Sequence, residues 1–186
     1  QEYHPGRSSR TVYYLNHNSW WDGLIPLLLN ECRFEQHARA LMEEKQMRQY
    51  PFFSRIGAFS IDPGHPRKAL RSMQYAVESM QRERASLFIY PEGEIRPAGT
   101  PLRFKKGLAW LHGRLPGADI VPIAIHIHTR RYDKPELLLH TGGALSIPED
   151  ADTDYKNRLF EQQLSKLLKN LNTVANPLSC GFERLH

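Results

Sequence analysis

Cysteine is nearly missing from this chain of 186 residues. Cys32 and Cys180 lie far apart, with no C-x-x-C spacing and no Cys or His neighbours. That argues against a zinc site and a disulfide framework, and so few thiols fit a reducing compartment. Long apolar runs are missing too. The longest candidate, Leu24 to Leu29, is interrupted by Pro26 and falls well short of the roughly 18 residues a spanning helix needs. There is no G-x-S-x-G elbow, which counts against the usual esterase route. None of the common nucleic-acid reader motifs occurs, so no nucleic-acid partner is expected. The sequence opens on Gln1, with neither an initiator methionine nor a charged-then-apolar signal segment after it. An N-terminal portion, with any anchor it carries, is expected to be missing.

What is present is a basic, core-forming chain. Lys and Arg outnumber Asp and Glu by 25 to 20, a formal charge of +5, and this favours anionic partners such as phospholipid headgroups or phosphorylated cofactors. Its hydrophobic content of 40% suffices for one core. We therefore expect a single domain over residues 1–186, with the motif-bearing part at about 11–145 and a C-terminal helix at about 152–174.

Alternating elements follow along the chain. Thr11 to Leu15 is β-branched and aromatic and reads as a strand feeding a loop at Asn16 and His17. The chain turns helical after Asp22, and Glu43 to Tyr50 is rich in helix formers. Gly57 to Asp62 reads as a strand closed by Pro63-Gly64, and Pro66 opens a helix. Its stripe is Ala69, Met73, Ala76, Val77 and Met80, with Arg67, Lys68, Arg71 and Arg82 off it. Ser86 to Tyr90 reads as a buried strand running into the turn Pro91-Glu92-Gly93, and Pro97 to Lys106 as a long, mobile loop. Two more strands are expected at Ile120–Ile127 and Glu136–His140. Tyr155 to Leu171 reads as an amphipathic helix with Leu159, Phe160, Leu164, Leu167, Leu168 and Leu171 inward. The pattern predicts an α/β fold with a mostly parallel or mixed central sheet flanked by helices, whose ligands gather beyond the strands' C-terminal ends.

The chemistry centres on Asn16-His17-Asn18-Ser19-Trp20-Trp21-Asp22. An imidazole titrates near neutrality and can take a hydroxyl proton; a carboxylate on its far nitrogen fixes the tautomer and stabilises the imidazolium. His17 and Asp22 have the spacing for this. Spacing alone is weak evidence, since composition predicts roughly 0.3 chance matches, and His128 with Asp133 makes a second one. The flanking motifs decide between them. His17 and Asp22 are followed by Gly57-Ala-Phe-Ser-Ile-Asp62, then Tyr90-Pro91-Glu92-Gly93, then Val121-Pro122-Ile123.

In this order and spacing, from about Thr11 to Pro122, the chain resembles the phospholipid acyltransferases, the family of lysophosphatidic acid and glycerol-3-phosphate acyltransferases. The resemblance implies an O-acyltransferase of glycerolphosphate acyltransferase-like fold, with His17 catalytic, Asp22 supporting it and Glu92-Gly93 contributing to the acceptor site. It implies acyl-CoA or acyl carrier protein as co-substrate, a lipid acceptor, peripheral work at the cytoplasmic face of a membrane, and no metal or redox cofactor. Two positions depart from the pattern. The third block usually carries an arginine three positions after its glutamate, and here Arg96 stands four after Glu92. The second block commonly has an arginine directly after Ile-Asp, where Pro63 stands; Arg67 at the next helix start is the candidate substitute for binding phosphate.

Each feature has a plainer reading beside it. Asp22 could be a helix N-cap. Trp20 and Trp21 could be core packing, interfacial anchors or an acyl pocket. Glu92 could be an ordinary turn residue, and Ser60 and Asp62 strand-end structure. Arg103, Lys105 and Lys106 around Phe104 could dock on anionic lipid or coenzyme A phosphates, or form a solvated loop. Two other functions remain open: a hydrolase using water at the same site, and a non-catalytic phospholipid-binding module.

Overall fold

The computed structural model describes residues 10–34, 36–83, 85–128, 135–148 and 150–174. Its centre is a six-stranded sheet of β1 (Thr11–Leu15), β2 (Ala38–Glu43), β3 (Ala58–Ile61), β4 (Ser86–Ile89), β5 (Asp119–His128) and β6 (Glu136–Thr141), ordered β3-β2-β4-β1-β5-β6. Five strands run parallel, and only β6 is antiparallel, on β5. The α/β reading with a mostly parallel sheet holds.

Between the strands lie α1 (Ile25–Leu29), α2 (Glu44–Gln49), α3 (Phe52–Arg55), α4 (Pro66–Glu83) and α5 (Gly107–His112), and α6 (Thr153–Val174) follows β6. A 3-10 turn, Trp20–Leu24, leads into α1 and a π turn, Asn30–Phe34, leaves it. Every residue of β1 is buried, because β1 is central in the sheet and covered on both faces. Val12 and Tyr14 join Met73, Met80, Leu108 and Phe160 from α4, α5 and α6 in one core. Tyr13 and Leu15 join Ile25, Leu29 and Phe34 in the other. Tyr13, Phe34 and Phe88 form a cluster of stacked rings, with Tyr13 centroid distances of 4.6 and 4.8 Å to the other two.

The helix expected from Glu43 to Tyr50 is present as Glu44–Gln49. The strand Ala38–Glu43 and the short helices α3 and α5 were not expected from the residues. The segment Pro97–Lys106 is irregular, as expected, but anchored: Leu102 and Phe104 pack on the core, and the Phe104 amide donates to Glu161 Oε1 at 2.7 Å. Cys180 and Asp133 lie outside the described residues.

Gly57 fixes the approach of β3 to β2. Its φ is +93°, and a Cβ there would lie 2.3 Å from the Ala38 carbonyl oxygen. Only glycine fits such a backbone approach without displacing the strand.

Candidate active site

Parallel pairing puts the C-terminal ends of β1 to β4 on one edge, and there a cavity of about 210 Å³ opens. His17 and Trp20 from the β1 loop, Met42 from β2, Pro63 after β3, and Tyr90 and Gly93 after β4 line it. Most of the wall is apolar.

Asn16 sets the position of the β1 loop. Its buried side chain donates to the Ile125 carbonyl at 2.9 Å and accepts from the Ile125 amide at 2.8 Å. The amide thus continues the sheet ladder for one residue past the backbone, satisfying groups that would otherwise be buried unpaired. His17, next along, is thrown over the strand end.

His17 Nδ1 lies 3.1 Å from Asp22 Oδ2, with the imidazole 20% exposed and the carboxylate fully buried. The carboxylate is held by more than the histidine. Oδ2 accepts from the amides of Asn18 at 2.6 Å and Ser19 at 2.9 Å, and Oδ1 from the Ser19 hydroxyl at 2.8 Å. Burial works against the charge, but the His17 contact and the Ser19 and Asn18 donors outweigh it and hold the carboxyl below its ordinary value. Asp22 is not the N-cap: Ser19 is, and Asp22 sits three positions later.

Tyr90 supports both members from the other side. Its ring lies 4.5 Å from the His17 ring, tilted by 33°, and its hydroxyl donates to the Asp22 carbonyl. Burial, with the Asp22 charge nearby, keeps the phenol protonated well above its usual range. Neither Asn16 nor Tyr90 was singled out from the sequence as a site residue. Each had a faint signal, a polar group at the end of an otherwise apolar strand.

The third motif meets the first through its backbone. The Arg96 amide donates to the His17 carbonyl at 2.8 Å, and the Asn18 side chain donates to the Arg96 carbonyl at 2.8 Å. Glu92, only 3% exposed, turns beneath the loop, where Oε2 accepts from the His17 amide at 3.4 Å. Burial raises its pKa, and the His17 amide and the Arg96 charge oppose that. The Arg96 guanidinium lies 3.8 Å from Glu92 and 3.7 Å from Glu94.

The expected site residues therefore separate into three places. His17 and Gly93 line the cavity; Asp22, Glu92 and Arg96 stand behind the lining; Arg67 is exposed in the first turn of α4, outside the lining, with Pro63 at that wall. Lys105 reaches the cavity beside Gly93, whereas Lys106 pairs with Asp154 at 3.5 Å. Trp20 lines the cavity and packs on Tyr50 and Phe53, while Trp21 is 65% exposed. The rival pair His128 and Asp133 falls outside the described side chains. Among the described residues no three His, Cys, Asp or Glu side chains converge as a metal would require.

A family model described as Acyltransferase matches residues 1–126 of this chain. The chain belongs to the acyltransferase family. Among curated relatives, the 1-acyl-sn-glycerol-3-phosphate acyltransferase of Cocos nucifera is 27% identical over 130 residues, 67% of this chain and 41% of its own length. That of Limnanthes alba is 27% identical over 128 residues, 66% of this chain and 44% of its own. The chain thus spans less than half the length of these acyltransferases. All four motif blocks, His17 to Asp22, Gly57 to Asp62, Tyr90 to Gly93 and Val121 to Ile123, fall inside the family match.

Proposed function

We propose that the protein moves a fatty acyl group from a thioester donor, acyl-CoA or acyl carrier protein, to a hydroxyl of a glycerolipid-type acceptor such as lysophosphatidic acid. The observation that carries this reading is His17 at the cavity wall with Nδ1 facing the buried Asp22 carboxylate at 3.1 Å. Nδ1 then carries the proton, leaving Nε2 as the base. It takes the acceptor's hydroxyl proton while the oxygen attacks the thioester carbonyl. The tetrahedral intermediate collapses, the C–S bond breaks, and the imidazolium returns its proton to the thiolate. Asp22 stabilises that imidazolium. The acceptor oxygen is itself the nucleophile, so no serine or cysteine is needed.

Labelled acyl-CoA and acyl carrier protein, each offered with and without lysophosphatidic acid, test the reading. An acylated acceptor is expected. Free fatty acid formed equally without acceptor would replace the transferase by a hydrolase, and lipid binding without turnover of either donor would leave only a binding module.

A membrane-surface site at the cytoplasmic face belongs to the same proposal. No helix among the described residues is long and apolar enough to cross a membrane. The support for surface contact is an aromatic series from the cavity outward. Trp20 contacts Trp21 and Phe53, and Phe53 stacks on Phe52; Trp21 and Phe52 are 65% and 43% exposed. Lys45, Arg48 and Arg55 are exposed on α2 and α3. Aromatic rings flanked by cations suit the headgroup layer of an anionic bilayer. The double variant Trp21→Ser, Phe52→Ser is expected to lower partition onto phosphatidylglycerol-containing vesicles about tenfold, ~1.4 kcal/mol. Unchanged co-sedimentation would remove this face from the proposal.

A further inference from the structure

Resting on the acyl-transfer reading, the acceptor's headgroup can be narrowed from the charges around the cavity. Three charged side chains besides His17 line it: Glu43, Glu94 and Lys105. Glu94 is already committed to Arg96 at 3.7 Å, and Arg96 to Glu92 as well. Around the rim Lys68 and Lys106 are similarly engaged, and Arg67 is exposed outside the lining. Asp62 holds His65 at 2.7 Å and Lys68 at 3.4 Å, and its Oδ1 accepts from the Gly64 amide at 3.1 Å. It thereby supplies the negative charge at the start of α4 that a phosphate would otherwise supply. Lys106 faces Asp154.

Two lining charges are left without an opposite partner among the described residues. Glu43, the residue before α2, makes no ion pair. Lys105 touches only the Gly93 carbonyl, at 3.4 Å. Both are solvent-exposed. The lining thus offers one free anion and one free cation, and no unpaired guanidinium fork of the kind that recognises a phosphate monoester.

We propose that this site takes a zwitterionic lyso-lipid as acyl acceptor, its ammonium set against Glu43 and its anionic group against Lys105. Among the free lining charges a phosphate monoester dianion would gain Lys105 alone and would meet Glu43 as a like charge. A zwitterion satisfies both free partners at once. Because the groups are exposed, each contact is modest and salt-sensitive, and the preference is of the order of fivefold to tenfold.

The test compares lysophosphatidylethanolamine with lysophosphatidic acid of the same chain, presented in identical mixed micelles at low salt. Acyl transfer is expected to favour lysophosphatidylethanolamine about fivefold or more in kcat/KM, through KM. Glu43→Gln should erase that ratio by raising KM for the zwitterion. Lysophosphatidic acid preferred by the wild type, or a ratio untouched by Glu43→Gln, overturns the inference while leaving acyl transfer standing. Binding of the same two lipids, followed by intrinsic tryptophan fluorescence in His17→Ala and in His17→Ala, Glu43→Gln, decides the headgroup question without turnover. Tighter binding of the zwitterion that depends on Glu43 supports it even if no acyl transfer occurs. Equal or reversed affinities reject it.

Discussion

Replacing His17 by alanine is expected to lower acyl transfer by about 10³-fold in a protein that still folds, the range a positioned general base contributes. The side chain is partly exposed at a cavity wall and lies outside both cores, so circular dichroism and the unfolding midpoint should change little. Asp22→Asn should fall between about 10² and 10⁴-fold, because asparagine keeps the shape but cannot stabilise the imidazolium. Asp22 has a folded pKa below its ordinary value, so its ionised form stabilises the fold above the unfolded pKa, and that stability is lost only as pH falls through the depressed one. It therefore stays charged down to pH values below the ordinary carboxylate range. Full turnover by His17→Ala would sink the assignment.

The second large effect is on stability. Gly57→Ala is expected to destabilise the protein by about 3 kcal/mol, from the left-handed backbone and the forced retreat of a strand. Gly99→Ala provides the comparison. Its φ is +85°, but nothing lies within 4 Å of the added Cβ, so only the backbone preference of about 1 kcal/mol is lost. Urea unfolding of both variants measures the difference. Equal losses would mean that β2 yields to the methyl group and that the close approach is not a constraint.

The parts of the fold that sequence made legible are those whose apolar pattern has one explanation. β1, β4 and the Ile120–Ile125 part of β5 are largely apolar runs because both faces are covered, and α4 and α6 show their stripes because one face is. β2 reads Ala-Arg-Ala-Leu-Met-Glu, residues that favour a helix, and only Leu41 is fully buried; pairing with β3 and β4 overrides local preference there. The anchoring of Pro97–Lys106 was illegible because Leu102 and Phe104 meet partners far away in sequence.

At the site, the His17 and Asp22 contact was readable because its members lie five residues apart. Asn16 and Tyr90 were not, since their bonds reach backbone groups 109 and 68 residues away. Glu92 and Arg96, expected at the acceptor site, stand against the His17 backbone. Motif order alone carries no information on which side of a loop a carboxylate faces.

The position of β1 between β4 and β5 also bears on how the protein is made. His17 leaves a ribosome before Ile125 does, and Asn16 finds its partner only when Ile125 has been synthesised. Until then the β1 loop has neither its ladder extension nor the Arg96 and Glu92 contacts, and pairing over such separations is slow. A nascent chain arrested before β5 should hold an unformed His17 loop beside an exposed, largely apolar strand, the species that a chaperone would need to shield.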